Sequence, residues 1–515
     1  LLYFLSGYFV LSLLFAKLAV LLRDVDNDSR KVDVMNWPDT IHLSSWLVLA
    51  LMLLYAAVVI ASVVVVLREN RNPIRALSWV IALVFLPGVG LVFYLFFGRS
   101  LKGIHMISRH NKRKLMHDHT PRRVDINNLD LRGDHRTLVK LAHTLCRAPF
   151  TVNNEIEIFT DGESKFRALK RDLRNARTLI QIQYYIFLDD RIGMEISEIL
   201  MEKAREGVAV KVMYDHVGSF SAKRSFFKKM QESGVDTHPF FKVTFPQLAN
   251  RINWRNHRKI VIIDSSIGYI GGMNIADRYV YGTEDGMPWR DTHFRLKGDI
   301  VESLMYSFAI DWNFLKKHPE LPHVDPDPAK IENTTGVQLV TSGPTGNWNN
   351  LSMVFLKAIA SARRTILIQT PYFLPTDALL SALQAASLSK VDVRIMIPEK
   401  TDSVLLHYAS FSYVTQCLKA GIKVYLYEPG MLHSKTMIVD DGFVTAGSTN
   451  FDFRSFENNF ECNLMIYDAD LNRKMRDIFF DDLKKCRKLS LVKWRKRPLG
   501  QRFLESLLRL VSPIL

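Results

Sequence analysis

Two stretches of the chain carry the same reactive side chains at the same spacing. His257-Arg258-Lys259 is followed by an apolar run, Asp264, the pair Gly271-Gly272 and Asn274. His433-Ser434-Lys435 is followed by Asp440, Gly447 and Asn450 at the same offsets, 176 residues further on. Ile260–Ile263 and Thr436–Val439 are largely β-branched and read as buried strands. Residues two apart on a strand share a face, so His257 projects with Lys259 and His433 with Lys435. A protonated lysine cannot ligate a metal, so the pairing points to an anion site rather than a zinc site. Two lysines and two asparagines can cradle a phosphate. One neutral imidazole can then attack phosphorus while the other, protonated, donates to the leaving oxygen. No metal or other cofactor is called for, because the lysines supply the positive charge. Asp264 and Asp440 complete the motif. On a regular strand they face away from the lysines, which assigns them to bracing.

A lone His-x-Lys is an ordinary strand end; two copies with five residue types in register are not. The paired motifs resemble the phospholipase D superfamily. Arg255-Asn256 before His257, the triplet Ser342-Gly343-Pro344 and the apolar N-terminal segments narrow the resemblance to its bacterial cardiolipin synthases, from about Arg71 onward. The resemblance implies that Asn274 and Asn450 bind phosphate. It also implies that Asp291 and Glu461 orient the catalytic histidines through the second ring nitrogen, fixing the tautomer. A turn role for each asparagine and a surface ion pair for Asp291 are the plain alternatives. Gly272 stands where the second copy has Ser448, a position often serine in the family. Tyr184, Tyr185, Tyr372 and Phe373 end strands and are assigned to core packing in preference to a lipid cleft. Arg454-Ser455 matches a family pair and is read either as phosphate-binding or as a salt bridge.

These motifs need a scaffold, and the composition bounds it. The 515 residues suffice for two or more domains. A formal net charge of +16 suits an anionic substrate or membrane surface, or nucleic acid. The four cysteines are widely spaced and suggest neither a disulfide framework nor a metal site. From Phe150 the chain alternates strands (Glu155–Phe159, Leu179–Phe187, Val208–Tyr214) with helices (Lys165–Ala176, Met194–Glu206, Ser221–Ser233). Thr365–Gln369, Val391–Ile397 and Val424–Tyr427 repeat the pattern, so internal duplication is expected. The expected fold class is α/β: two tandem phospholipase D-like α/β/α repeats, residues 150–317 and 337–490, with the active site at their interface. A proline-rich linker, 318–336, joins them.

N-terminal helical membrane segments precede the repeats. Residues 1–43 hold the apolar stretch Leu1–Leu22 and an acidic loop, Arg23–Thr40. Residues 44–98 form a membrane hairpin whose first arm, Trp46–Leu67, has no charge over 22 residues. The second arm, Leu77–Phe97, is interrupted at Pro87–Gly90. Basic residues flank it on both sides, so it either spans or re-enters and returns. Residues 99–149 form a basic linker. The tail, 491–515, reads as a basic amphipathic helix, either membrane-surface binding or packed on the catalytic domain.

The resemblance implies an enzyme of the bacterial cytoplasmic membrane, multi-pass, with its catalytic domain in the cytoplasm. It would transfer phosphatidyl groups between phosphatidylglycerol molecules through a phosphohistidine, making cardiolipin and glycerol, with membrane phospholipids rather than nucleic acid as partners. His257 would be the nucleophile and His433 the acid and base, an assignment the near-symmetry of the motifs leaves exchangeable. The rivals are a hydrolytic phospholipase D or another phosphatidyltransferase of the superfamily, a nuclease, and a non-catalytic scaffold that binds anionic lipid.

Overall fold

The computed structural model describes residues 45–68, 73–86, 89–94, 98, 131, 133–242, 254–316 and 335–512. The expectations for Leu1–Leu22, Arg23–Thr40, Arg99–Arg123 and linker residues 318–334 lie outside them. The chain divides into two units, Leu1–Pro87 and Gly88–Leu515.

In the first unit, Ser45–Arg68 is a 24-residue helix whose only charge is its last residue. At 1.5 Å per residue it is about 36 Å long. A second helix, Pro73–Phe85, opens on proline, whose fixed φ suits a first helical position. The Tyr55 hydroxyl donates to the Leu83 carbonyl at 3.1 Å and ties the two together. Among the residues described with their side chains, no helix is long and apolar enough to cross a membrane. The expected break in the apolar stretch after Leu77 is present: one helix ends at Phe85 and the next, Val89–Phe93, belongs to the second unit.

The second unit holds two sheets. The first contains β1 (Asn154–Phe159), β2 (Leu179–Tyr184), β3 (Ala209–Asp215), β4 (Asp236–Phe240), β5 (Ile260–Ile263), β6 (Ile267–Gly271) and, after the short β7 (Trp289–Arg290), β8 (His293–Gly298). The second contains β9 (Gly336–Ser342), β10 (Thr365–Gln369) and, after β11 (Phe373–Leu374), β12 (Asp392–Pro398) and β13 (Lys423–Tyr427). Following β14 (Met431–Leu432) come β15 (Thr436–Val439), β16 (Phe443–Gly447), β17 (Phe451–Asp452), β18 (Glu461–Tyr467) and β19 (Cys486–Lys488). The strand orders are β1-β8-β6-β5-β2-β3-β4 and β9-β18-β16-β15-β10-β12-β13-β19. Position by position these are one topology, with β19 added at an edge, so the duplication extends from motif to fold. Both sheets are mixed: β2, β3 and β4 run parallel with β5 antiparallel to β2, and β10, β12 and β13 run parallel with β15 antiparallel to β10.

The strands carry apolar residues on both faces because both faces are covered. Ile260 and Ile262 join one buried cluster with Leu367, Ile438 and Leu464 of the second repeat, while Val261 and Ile263 join another. Helix limits follow their caps more than their apolar periodicity. Arg191–Arg205 starts three residues before the expected Met194, because the Asp190 side chain accepts from the Gly193 N–H. It stops before Gly207, whose φ of +92° disfavours other residues. Strand pairing in β2 ends at Tyr184 rather than Phe187: the Ile186 N–H donates to Asn274 Oδ1 and the Phe187 N–H to Ser219 Oγ.

Asp264 and Asp440 sit at the hairpin turns after β5 and β15, with φ of 50° and 49°. Aspartate tolerates this left-handed conformation because its short side chain can bond nearby. The Asp264 carboxylate accepts the amides of Arg177, Thr178 and Leu179 at 2.8–3.1 Å, and Asp440 those of Arg363, Arg364 and Thr365 at 2.8–2.9 Å. Each ties a motif hairpin to the start of the neighbouring strand. Both aspartates lie at the far end of the strand from the histidines. Partial burial pushes the Asp264 carboxyl upward, but the amide donors outweigh it and hold it below the usual range. We expect Asp264→Ala and Asp440→Ala each to lower unfolding free energy in urea by about 2–3 kcal/mol, as for loss of hydrogen bonds to a charged acceptor.

Candidate active site

The geometry of the two motifs is set by short parallel pairings between the repeats. Asn256 bridges Phe460, with the His257 N–H donating to the Phe460 carbonyl at 2.9 Å. In the other half β14 pairs with β7, and the His433 N–H donates to the Arg290 carbonyl at 2.7 Å. In both cases the residue before a histidine lies beside the residue before an acid of the opposite repeat. The acids therefore cross over. His257 Nδ1 lies 3.0 Å from Glu461 Oε1 and 3.1 Å from Oε2, and His433 Nδ1 lies 2.6 Å from Asp291 Oδ2. All four groups are buried. Asp291 and Glu461 thus meet the histidines, each at the ring of the other repeat.

A carboxylate only accepts, so each Nδ1 carries the proton and each Nε2 is the atom left to meet a substrate. Lys435 Nζ also lies 2.9 Å from His433 Nδ1, but with that nitrogen protonated its acceptor is the His433 carbonyl. Lys259 donates likewise to the His257 carbonyl at 2.6 Å. Both histidines, both lysines and both acids form one electrostatic cluster. Burial brings the Lys259 ammonium down to about 7, with Glu461 and Asp291 opposing and Lys435 assisting. Burial brings Lys435 down to about 8, against the same two carboxylates. Burial and Lys435 hold His433 down at about 4, against Asp291. His257 is likewise lowered, by burial first, against Glu461.

The halves differ around the acids. Ser448 Oγ donates to Glu461 Oε2 at 2.5 Å, and the Thr292 N–H donates to Asp291 Oδ1 at 2.7 Å. A Cβ on Gly272, the counterpart of Ser448, would come within 2.2 Å of Asp291 Oδ1. The aspartate, one methylene shorter than glutamate, reaches its histidine across space that any side chain at 272 would fill.

The asparagines are not alike. Asn274 Oδ1 accepts the Ile186 N–H at 3.2 Å and its Nδ2 donates to the Tyr279 hydroxyl at 2.6 Å, leaving one amide hydrogen for another acceptor. Asn450 is buried with its Oδ1 unsatisfied by protein. Of the four aromatic residues ending strands, Tyr184, Tyr372 and Phe373 are buried in the core as expected. Tyr185 is not of that kind: its ring meets the His257 ring edge-on at 4.9 Å. Tyr279 and Trp289 flank the His433 ring at 5.7 and 5.0 Å. The Ser455 Oγ accepts the Asn450 N–H at 3.2 Å.

Several bracing residues escaped the motif reading. Arg258, alternating with His257 and Lys259, turns to the opposite face and pairs with Asp311 at 2.6 Å. Gln183 and Asn256 donate to that same carboxylate. Arg255 pairs with Asp215 at 3.4 Å. Arg290 crosses to Asp482 of the second repeat at 2.8 Å, and Gln369 also donates to Asp482. Its place between His257 and Lys259 was the available signal for Arg258; Asp311 and Asp482 lie on helices with no such mark.

The family model described as "Cardiolipin synthase, PLD-like domain" matches residues 169–304 and 355–483, and one described as "Phospholipase_D-nuclease N-terminal" matches residues 56–99. The chain is 38% identical to the major cardiolipin synthase ClsA of Bacillus subtilis, over 89% of this chain and 97% of that protein. It is 40% identical to cardiolipin synthase 2 of Bacillus anthracis, over 88% and 89% of the two chains. In fold it is similar to the crystal structure of phosphatidylserine synthase from Haemophilus influenzae, with a TM-score of 0.58 at 16% identity over 74% of this chain and all of that one. With its duplicated topology and its paired motifs meeting at one site, the chain belongs to the cardiolipin synthase family of phospholipase D-like proteins.

Proposed function

We propose that the chain transfers a phosphatidyl group from one phosphatidylglycerol to another, releasing glycerol and forming cardiolipin. The observation that carries this is the pair of buried imidazoles, each held through Nδ1 by the other repeat's carboxylate with a lysine beside it. The relatives named as cardiolipin synthases support the choice of substrate.

In the first step His257 Nε2 attacks phosphorus. The phosphorus–oxygen bond to the headgroup glycerol breaks, and His433, whose imidazolium Asp291 and the bound phosphodiester anion favour against burial, gives its Nε2 proton to the departing oxygen. In the second step the terminal hydroxyl of a second phosphatidylglycerol gives its proton to His433 and attacks phosphorus. The phosphorus–nitrogen bond breaks, which restores His257. Lys259, Lys435, the Asn450 side-chain N–H and the remaining amide hydrogen of Asn274 stabilise charge on the phosphoryl oxygens. Glu461 and Asp291 hold the tautomers and support the imidazolium that forms on each ring. The Ser45–Arg68 helix is read as crossing the bilayer, which keeps lipid alcohol at high local concentration and favours transfer over hydrolysis.

Purified protein given labelled phosphatidylglycerol should yield cardiolipin and glycerol in equal amounts. His257→Ala and His433→Ala should each lose at least about a thousandfold in rate while still binding lipid. With His433 removed, a phosphatidyl adduct should accumulate on His257 and be found by peptide mapping. An adduct on neither ring would contradict the scheme, and phosphatidic acid as sole product would favour the hydrolase.

A phosphodiester anion between the lysines raises pKa values that burial holds at about 7 and 8. Substrate binding near pH 7.5 should therefore take up protons. Calorimetry in buffers of different ionisation enthalpy would measure this, and affinity should fall as pH rises from 7 to 9. For the apolar stretch broken at Pro87, thiol probes placed at Arg71 and Arg99 should react from one side of the membrane if the segment re-enters and returns. Reaction from opposite sides identifies a spanning hairpin.

A further inference from the structure

The Leu499–Leu510 helix is docked on the second repeat the wrong way round for a helix in water. Its inward stripe is largely polar. Glu505, 3% exposed, pairs with the Arg497 guanidinium and accepts from Gln501 Nε2 at 3.1 Å. The Arg509 guanidinium lies over the Tyr413 ring at 4.4 Å, and Leu508 adds an apolar contact. The apolar residues point out: Leu499, Phe503, Leu507 and Leu510 are 79%, 71%, 50% and 77% exposed. They recur at intervals of four, four and three, a continuous stripe on one side of a helix. Scattered exposed leucines are ordinary, whereas a stripe of four large apolar side chains on a helix anchored by buried charges marks a contact with something apolar.

We propose that this stripe lies in the surface layer of a membrane containing anionic phospholipid. The chemistry around it selects that occupant. Lys493, Arg495 and Lys496 are exposed just before the helix and Arg502 within it, beside Phe503. A row of apolar side chains flanked by cations matches acyl chains beneath anionic headgroups better than it matches another protein surface. The two readings of the tail are thereby reconciled: one face holds the helix to the catalytic domain and the other enters lipid. The domain then has a second, rigid attachment to the bilayer besides any made by its apolar N-terminal helix.

The test uses the full chain in lipid nanodiscs with an environment-sensitive fluorophore on Leu507→Cys, the signal of labelled unmutated protein being subtracted. Acyl-chain nitroxide lipid should quench the label at least about twofold more in discs with anionic lipid than in zwitterionic discs, and Phe503→Asp with Leu510→Asp should abolish the difference. Circular dichroism of that variant guards against unfolding, and no turnover is needed, so the outcome is independent of the reaction proposed above. A label quenched by aqueous iodide and indifferent to nitroxide lipid in both discs overturns the proposal. So does a label shielded from both quenchers that crosslinks between two copies of the chain.

Discussion

An imidazole can be held for proton transfer only if something fixes which nitrogen carries the hydrogen, and here that something comes from the other half of the molecule. Glu461 fixes His257 and Asp291 fixes His433. Neither repeat contains a complete unit of imidazole and orienting acid. The short pairings of Asn256 with Phe460 and of β14 with β7 are therefore part of the catalytic geometry. They are what aligns each ring with its acid.

The cost of the arrangement is burial of charge. Two ammonium groups, two imidazoles and two carboxylates lie together away from water, and such groups are tolerated only when paired and hydrogen-bonded. Carboxylates face the imidazoles, the lysines turn onto the histidine carbonyls, and a further set of buried pairs, Arg258–Asp311 and Arg290–Asp482, stiffens the backbone on either side. Burial keeps the lysines near the point of losing their protons and pushes both imidazoles toward their neutral form. A site so poised answers strongly to an arriving anion, which suits phosphoryl transfer without requiring the residues to move.

Much of this was legible in the sequence because it depends on local period and repetition. Strand alternation placed each histidine beside its lysine and turned Asp264 and Asp440 away. Repeated offsets revealed the duplication that the strand order bears out. The crossing of Glu461 and Asp291 was not legible, because it arises from how two similar sheets pack, and either pairing has the same sequence. The aromatic contacts divided for the same reason: Tyr184 and Tyr185 are neighbours on one strand end, but only the second escapes the core to reach His257. Helix starts shifted wherever a capping aspartate lay outside the apolar stripe, as at Asp190. In the Leu499–Leu510 helix, periodicity marked the stripe but could not say which way it faces.

The crossing of acids and imidazoles can be observed without turnover. In protein with 15N-labelled histidines, resonances of His257 and His433 can be assigned by removing each ring in turn. Glu461→Gln should move the Nδ1 signal of His257 and leave that of His433 in place, and Asp291→Asn should do the reverse. If Glu461→Gln instead moves His433 alone, each repeat orients its own histidine and the shared site described here is wrong.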